Sequence, residues 1–350
     1  MKKMITILMS ISMSLTCFCQ IPEITWQQCF GTSENDDSHC ILKTGNGYLL
    51  GIKIKTNGFG ISNYHGESDA WIMNIDTLGN ILWERCFGGS ESEGIYEIVK
   101  SSTEDEFYCF GYTESTDGDI TCDTNYGSTD FWVVKIDIEG NILWDHCYGS
   151  TLTDSPRDAI ATPDGGLLFM GRISAGGGDV KVFYGAYDIW FCKTDPLGNI
   201  EWEKTIGNEG IDNALQLKLI SDSTCAFIGG YYEAGSMIDC EVAITGSGAD
   251  LWLVEMNISG GDILNLYCYG GSYNDLGYYF EKIEDGYIPV SSTTSNDGDV
   301  SGLHGNPNYQ DIWAVRIDEQ GGIVWQQCLG GYSSETPYYV TQSEDGGDSS

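Results

Sequence analysis

The chain is poor in positive charge. Among its 350 residues 16 Lys and Arg stand against 52 Asp and Glu, and only Arg85, Arg157, Arg172 and Arg316 are arginines. A surface of that sign repels nucleic acid and anionic lipid, so neither is expected as a partner. Beyond the first 20 residues no stretch approaches the ~20 apolar residues of a membrane-crossing helix. Signatures of catalysis are missing as well: no P-loop, nucleophile elbow, HExxH, CxxC or vicinal Cys-Cys occurs. The arginines fall at unrelated repeat positions, so they predict no arginine cluster. Nothing in the sequence requires an enzyme.

The first residues carry Lys2 and Lys3, an apolar run from Met4 to about Phe18, and Cys19 before Gln20. That order reads as a secretory signal peptide over 1–19, with 20–350 the exported domain, secreted, periplasmic or at the cell surface. Its removal takes two lysines and no acid, so the mature charge is 14 − 52 = −38. Of 13 cysteines, Cys17 and Cys19 leave with it; the remaining odd number implies at least one free thiol. Cys29, Cys86, Cys147, Cys268 and Cys328 share one repeat position, with Thr205 in the other copy. Equivalent positions on neighbouring units lie too far apart to pair, so these five are expected to be small buried hydrophobes.

What the chain has in abundance is a repeat. Asp130–Gly149, DFWVVKIDIEGNILWDHCYG, recurs with drift from Asp69, Asp188, Asp250 and Asp311. Trp26, Trp83, Trp144, Trp202 and Trp325 mark its copies, Asn265 replacing Trp in one, at spacings of 57 to 63 residues. Each period holds four apolar runs bounded by Gly, Asp and Asn, designated strands a to d, and none has helical period. Four antiparallel strands per repeat predict an all-β chain, a β-propeller of four-stranded blades. Five blades are complete, at about 36–88, 93–149, 154–207, 212–270 and 275–330. A split, incomplete sixth is expected from 24–31, a lone strand d, and 335–350, a lone strand a. Strands b and c of that blade are absent, which predicts either a truncated chain or an imperfect ring.

Two acidic positions recur in every blade. One opens strand a (Asp36, Glu93, Asp154, Asp212, Asp275, Glu335); the other opens strand c (Asp69, Asp130, Asp188, Asp250, Asp311). Function breaks symmetry, so positions repeated in every blade are expected to hold turns by accepting backbone N–H bonds. The loops between strands b and c are the functional ground. Asp117, Asp119, Asp123 and Asp130, and Asp297, Asp299 and Asp311, set hard oxygen ligands around a Gly, which suits Ca²⁺. Calcium is the one cofactor the sequence suggests. His65 and His304 occupy matching loop places and are expected to be turn residues.

The D-x-x-G-x-I-x-W pattern (Asp76, Gly79, Ile81, Trp83; Asp137, Gly140, Ile142, Trp144), followed by Gly-Gly-Ser, resembles secreted β-propeller repeat proteins of Bacteroidota, a family with no single activity. More distantly it is similar to the tryptophan-docking motif of quinoprotein propellers. That resemblance implies that a Trp closing each blade packs against the next, so Trp83, Trp144 and Trp202 are expected to be largely buried. The function expected is an exported binding module, monomeric if the ring closes, taking a protein or carbohydrate on the face of the d–a and b–c loops. The alternatives are a propeller enzyme acting on glycans or a quinone-dependent substrate, and a structural cell-surface protein.

Overall fold

A computed structural model describes residues 24–58, 61–102, 105–122, 125–232, 248–305 and 308–341; the segment read as a signal peptide lies outside them. Twenty strands form five four-stranded antiparallel sheets, each in the order of the chain. The first holds β1 (Asp37–Lys43), β2 (Gly47–Ile54), β3 (Asp69–Asp76) and β4 (Ile81–Phe87). The second holds β5 (Glu93–Lys100), β6 (Glu106–Thr113), β7 (Asp130–Asp137) and β8 (Ile142–Tyr148). The third holds β9 (Ser155–Ala161), β10 (Leu167–Ile173), β11 (Asp188–Thr194) and β12 (Ile200–Ile206). The fourth holds β13 (Ile211–Leu219), β14 (Thr224–Tyr232), β15 (Asp250–Asn257) and β16 (Ile263–Tyr269). The fifth holds β17 (Asp275–Ile283), β18 (Gly286–Thr293), β19 (Asp311–Asp318) and β20 (Ile323–Leu329). Among the described residues there is no helix, and so none that could cross a membrane. These are the blades of a β-propeller.

Strand a of each blade after the first packs against strands a and b of the blade before it, so the a strands form the inner rim and the d strands the perimeter. The core is correspondingly divided into layers between consecutive blades. Phe110, Phe131, Phe169 and Trp190 meet between the second and third, with Phe131 stacked on Trp190 at 5.7 Å. The strand-c tryptophans Trp132, Trp190, Trp252 and Trp313 are fully buried, because strand c is central and covered on both faces. The indole N–H of Trp71, Trp132, Trp190 and Trp313 reaches the residue after the strand-d marker: Glu84, Asp145, Glu203 and Gln326.

The c–d hairpins show how the repeat motif folds. Asp76 accepts the side-chain amide of Asn80 at 2.8 Å and then the backbone N–H bonds of Asn80 and Leu78 at 2.9 and 2.8 Å, which lower its pKa below that of a free carboxyl, and Gly79 supplies φ 83°. Asp137, Asp195 and Asp318 repeat this turn. On each turn glycine lies the ring of the preceding blade: Trp26 on Gly79, Trp83 on Gly140, Trp144 with His146 on Gly198, Trp202 on Gly261 and Tyr267 on Gly321. Any side chain there would enter the ring. The strand-d tryptophans Trp83, Trp144 and Trp202, expected to be largely buried, are partly buried and pack against the core clusters. Strand d is the outer strand, so one ring face docks while the other meets solvent; Trp26 is 36% exposed and Trp325 43%.

Among the described residues the two flanking segments, 24–31 and 335–341, form no strands, unlike the lone strands d and a expected. Both still occupy blade-like places. Phe30 joins the cluster around Trp71, and Glu335 donates its N–H to Gln310 as Glu93 does to Ser68. The fifth blade keeps one open face: β19 alternates buried and half-buried residues, whereas β7 is buried along nearly its whole length.

Candidate binding face and axial cluster

The d–a and b–c loops leave the blades at one face, where the recurring acids gather in pairs. Strand d ends in a glycine wedged between the strand-c acid and the strand-a acid: Gly88 between Asp69 and Glu93, Gly149 between Asp130 and Asp154, Gly207 between Asp188 and Asp212. Gly270 and Gly330 sit likewise between Asp250 and Asp275, and Asp311 and Glu335. At each, a Cβ would fall within 3.0 Å of both carboxylates. The outer oxygens accept backbone N–H bonds: Tyr126 to Asp130 at 2.7 Å, Tyr184 to Asp188 at 2.6 Å, His304 to Asp311 at 2.8 Å. The strand-a acids accept from the incoming linker, as Gly89 to Glu93 and Ser150 to Asp154. The inner Oδ1 atoms of Asp130, Asp188, Asp250 and Asp311 are buried without a hydrogen-bond partner.

Burial, and then a nearby carboxylate (Asp179 for Asp130, Asp188 for Asp212, Asp275 for Asp250), push these groups up: Asp130 to about 6, Asp212 and Asp250 to about 7. Asp154 rises to about 7 and Asp275 to about 6, also through burial first. The pairs Asp130–Asp154, Asp188–Asp212 and Asp250–Asp275 therefore tend to hold a proton near neutral pH.

The b–c loops spend their aspartates on the neighbouring linker. Asp117 accepts Ser90 N–H at 2.7 Å, and Asp119 exchanges bonds with Gly88. Asp297 takes both the N–H and hydroxyl of Ser272, and Asp299 exchanges with Gly270. Asp179, which the sequence reading passed over, does the same with Gly149. Its signal was a Gly-Asp dipeptide 30 residues after the strand-d glycine, as in the other two loops. His65 and His304 give both backbone N–H and ring Nδ1 to Asp69 and Asp311. Asp123 lies outside the described residues. Among those described, no three His, Cys, Asp or Glu side chains converge as a metal ion would need.

The repeat cysteine also faces this loop. Cys147 is bonded to Cys122 of its own blade with Cα atoms 5.5 Å apart, and Cys268 is disulfide-bonded too. The expectation of five buried thiols is thus corrected for these two, and for Cys29, which is exposed. Cys122 lies in the b–c loop, 25 residues before Cys147, and not at the strand-d position the five cysteines share. In the third blade Thr205 replaces the cysteine and donates to Val182 O at 2.6 Å.

Symmetry breaks at the inner rim. Every strand a carries a bulge three residues after its acid, and the bulged residues are His39, Tyr96, Arg157, Leu215 and Tyr278. The neighbouring position links the blades: Asp158 accepts Leu217 N–H and Gln216 accepts Phe280 N–H, both at 2.7 Å. His39 stacks on Tyr96 at 4.4 Å, and Tyr96 meets Tyr112 edge-on at 6.1 Å. Lys53 donates to the Tyr112 hydroxyl, and Arg172 lies 4.4 Å over the Tyr187 ring. Burial, and then the nearby Arg172, lower the Arg157 pKa. Two of the four arginines thus meet, although their repeat positions are unrelated. The register sets Arg172 opposite Ser155, two residues from the bulged Arg157 on the same hairpin.

No protein-family model and no curated protein matches the chain. Similar solved structures include the Synechocystis apocarotenoid oxygenase Trp149Ala mutant, at 8% identity and TM-score 0.45 over 83% of this chain and 59% of that one. Another is the Neurospora crassa Pan2 WD40 domain, at 10% identity and TM-score 0.42 over 85% and 79%. The chain therefore spans about three-fifths of the oxygenase's length.

Proposed function

We propose that the protein is an exported binding module whose ligand enters at the loop face and rests on the inner rim. The carrying observation is the contrast within strand a. Its opening acid recurs in all five blades, while the bulged residue three places on is different in nearly every one: His39, Tyr96, Arg157, Leu215, Tyr278. A fold that accepts His, Arg and Leu at one position does not need any of them, so their chemistry is available for recognition. Aromatic rings beside unlike polar groups suit a carbohydrate or a peptide side chain. The test is a hydrogen-exchange footprint of a glycan or peptide that a binding screen returns. Protection centred on β1, β5 and β9 supports the reading. Protection confined to the c–d turns, or turnover of the ligand during the assay, contradicts it.

A further inference from the structure

The chain has about three acids for every cation, and among the described residues Lys135, Lys181, Lys193, Lys218 and Arg316 each make an ion pair, while Arg85, Lys204 and Lys282 donate to backbone carbonyls. At the inner rim of the first three blades three cations without an ion pair gather among tyrosines. Lys53 bonds only a phenol, with Nζ 5.2 Å from the Tyr112 ring centre. Arg157 donates to the Pro156 carbonyl at 3.0 Å and to Asn213 Oδ1 at 3.4 Å. Arg172 lies on Tyr187, and its Nε is buried without a hydrogen-bond partner. None of the three has an ion-pair partner among the described residues, although carboxylates are plentiful elsewhere.

Crowded like charges without a counter-ion cost stability unless something else offsets them. Glu97 and Asp158, next in the chain to Tyr96 and Arg157, are held toward the neutral form. Glu97 is pushed up to about 8 and Asp158 to about 7, both mainly by burial, and Asp37 lies beside His39. Guanidinium groups are built to take a carboxylate through paired N–H bonds. The rings beside them, Tyr96, Tyr112 and the 36% exposed Tyr187, offer flat apolar faces. A long polyanion is held off by the −36 charge of the whole chain, but a ligand carrying one or two charges feels chiefly the groups within a Debye length of ~8–10 Å.

We propose that this rim is a carboxylate-binding site for a short acidic sugar of the hexuronate type, with Arg157 and Arg172 on the carboxylate, the tyrosines against the sugar ring and Lys53 on a hydroxyl. The assignment deepens the axial binding reading and rests on it. The experiment is calorimetric titration of galacturonate and glucuronate, as monosaccharides and disaccharides, into the exported chain. Neutral galactose and glucose counterparts, acetate and a short peptide with a free C-terminal carboxylate serve as competitors. Uronate binding should weaken about tenfold or more in Arg172→Gln and in Arg157→Gln, the scale of one lost charge-assisted hydrogen bond. Arg172→Lys keeps the charge but loses the fork, and it should also bind more weakly, while Arg316→Gln should bind as the native chain does. Equal affinity for neutral sugars overturns the acidic-sugar assignment and leaves the axial site standing. Acetate or the peptide binding as tightly as uronate overturns the sugar half. No binding of any probe by a folded chain overturns both readings.

Discussion

At the perimeter, five blades do one thing. A ring from the preceding strand d, or Trp26 from the flanking segment, lies on each turn glycine, Trp in four cases and Tyr267 in the fifth, and the turn is held by Asp, or Asn257, at its first position. At the inner rim, the same five blades place five positions of different chemistry after one bulge. The difference separates what the fold demands from what it tolerates. A ring on a glycine is required because only that pair lets adjacent blades close up, whereas the bulged residue meets space around the axis.

The comparison can be broken from the structural side first. Trp132 is fully buried between blades, and Trp132→Ala should cost ~4 kcal/mol in urea denaturation. Trp144→Ala should cost roughly 2 kcal/mol, because its outer face already meets solvent. Equal losses would mean that perimeter docking matters as much as the core.

Next in size is the Cys122–Cys147 disulfide, which spans 25 residues. Its loss should cost about 3 kcal/mol, chiefly by freeing the unfolded chain. The third blade solves the same problem with Val182 and Thr205. Cys122→Val with Cys147→Thr should therefore recover about 1 kcal/mol relative to a double serine variant, by restoring one hydrogen bond and apolar packing. Identical urea midpoints for the two would remove the equivalence between blades.

The paired carboxyls set a smaller effect, read through pH. Asp154, Asp212 and Asp250 titrate near 7 when folded, and Asp130 and Asp275 near 6, all above the ordinary aspartate value of 3.8. Between about pH 4 and 7 the folded chain therefore holds more protons than the unfolded one. The stability this contributes is complete below pH 4 and is lost as pH rises through 6 to 7. The melting temperature should be several degrees higher at pH 5 than at pH 8 at one ionic strength. A flat or rising profile would show that the pairs are solvated in the folded state.

The five-fold architecture was legible because the repeat is long, periodic and punctuated by Gly-Asn and Asp-Gly turns. Strand c and strand d tryptophans were harder to rank. Both recur, but burial depends on which strand is central, and period alone does not carry that. The disulfide and the arginine pair were missed for the opposite reason: Cys122, Arg157 and Arg172 lie outside the positions that recur in every blade. The bulge itself is a change of register, and no residue type announces it. Asp117, Asp119, Asp297 and Asp299 were read as loop ligands; their oxygens are drawn to the linker N–H groups beside them.

The most direct measurement concerns Arg157, which stands where the fourth blade has Leu215. Arg157→Leu should melt within about 1 °C of the native chain, as a replacement the fold already tolerates next door, and should lose hexuronate binding by about tenfold or more. A fall of many degrees, comparable with that of Trp132→Ala, would contradict the claim that the inner rim is free of structural duty; unchanged melting with unchanged binding would contradict the claim that it recognises the ligand.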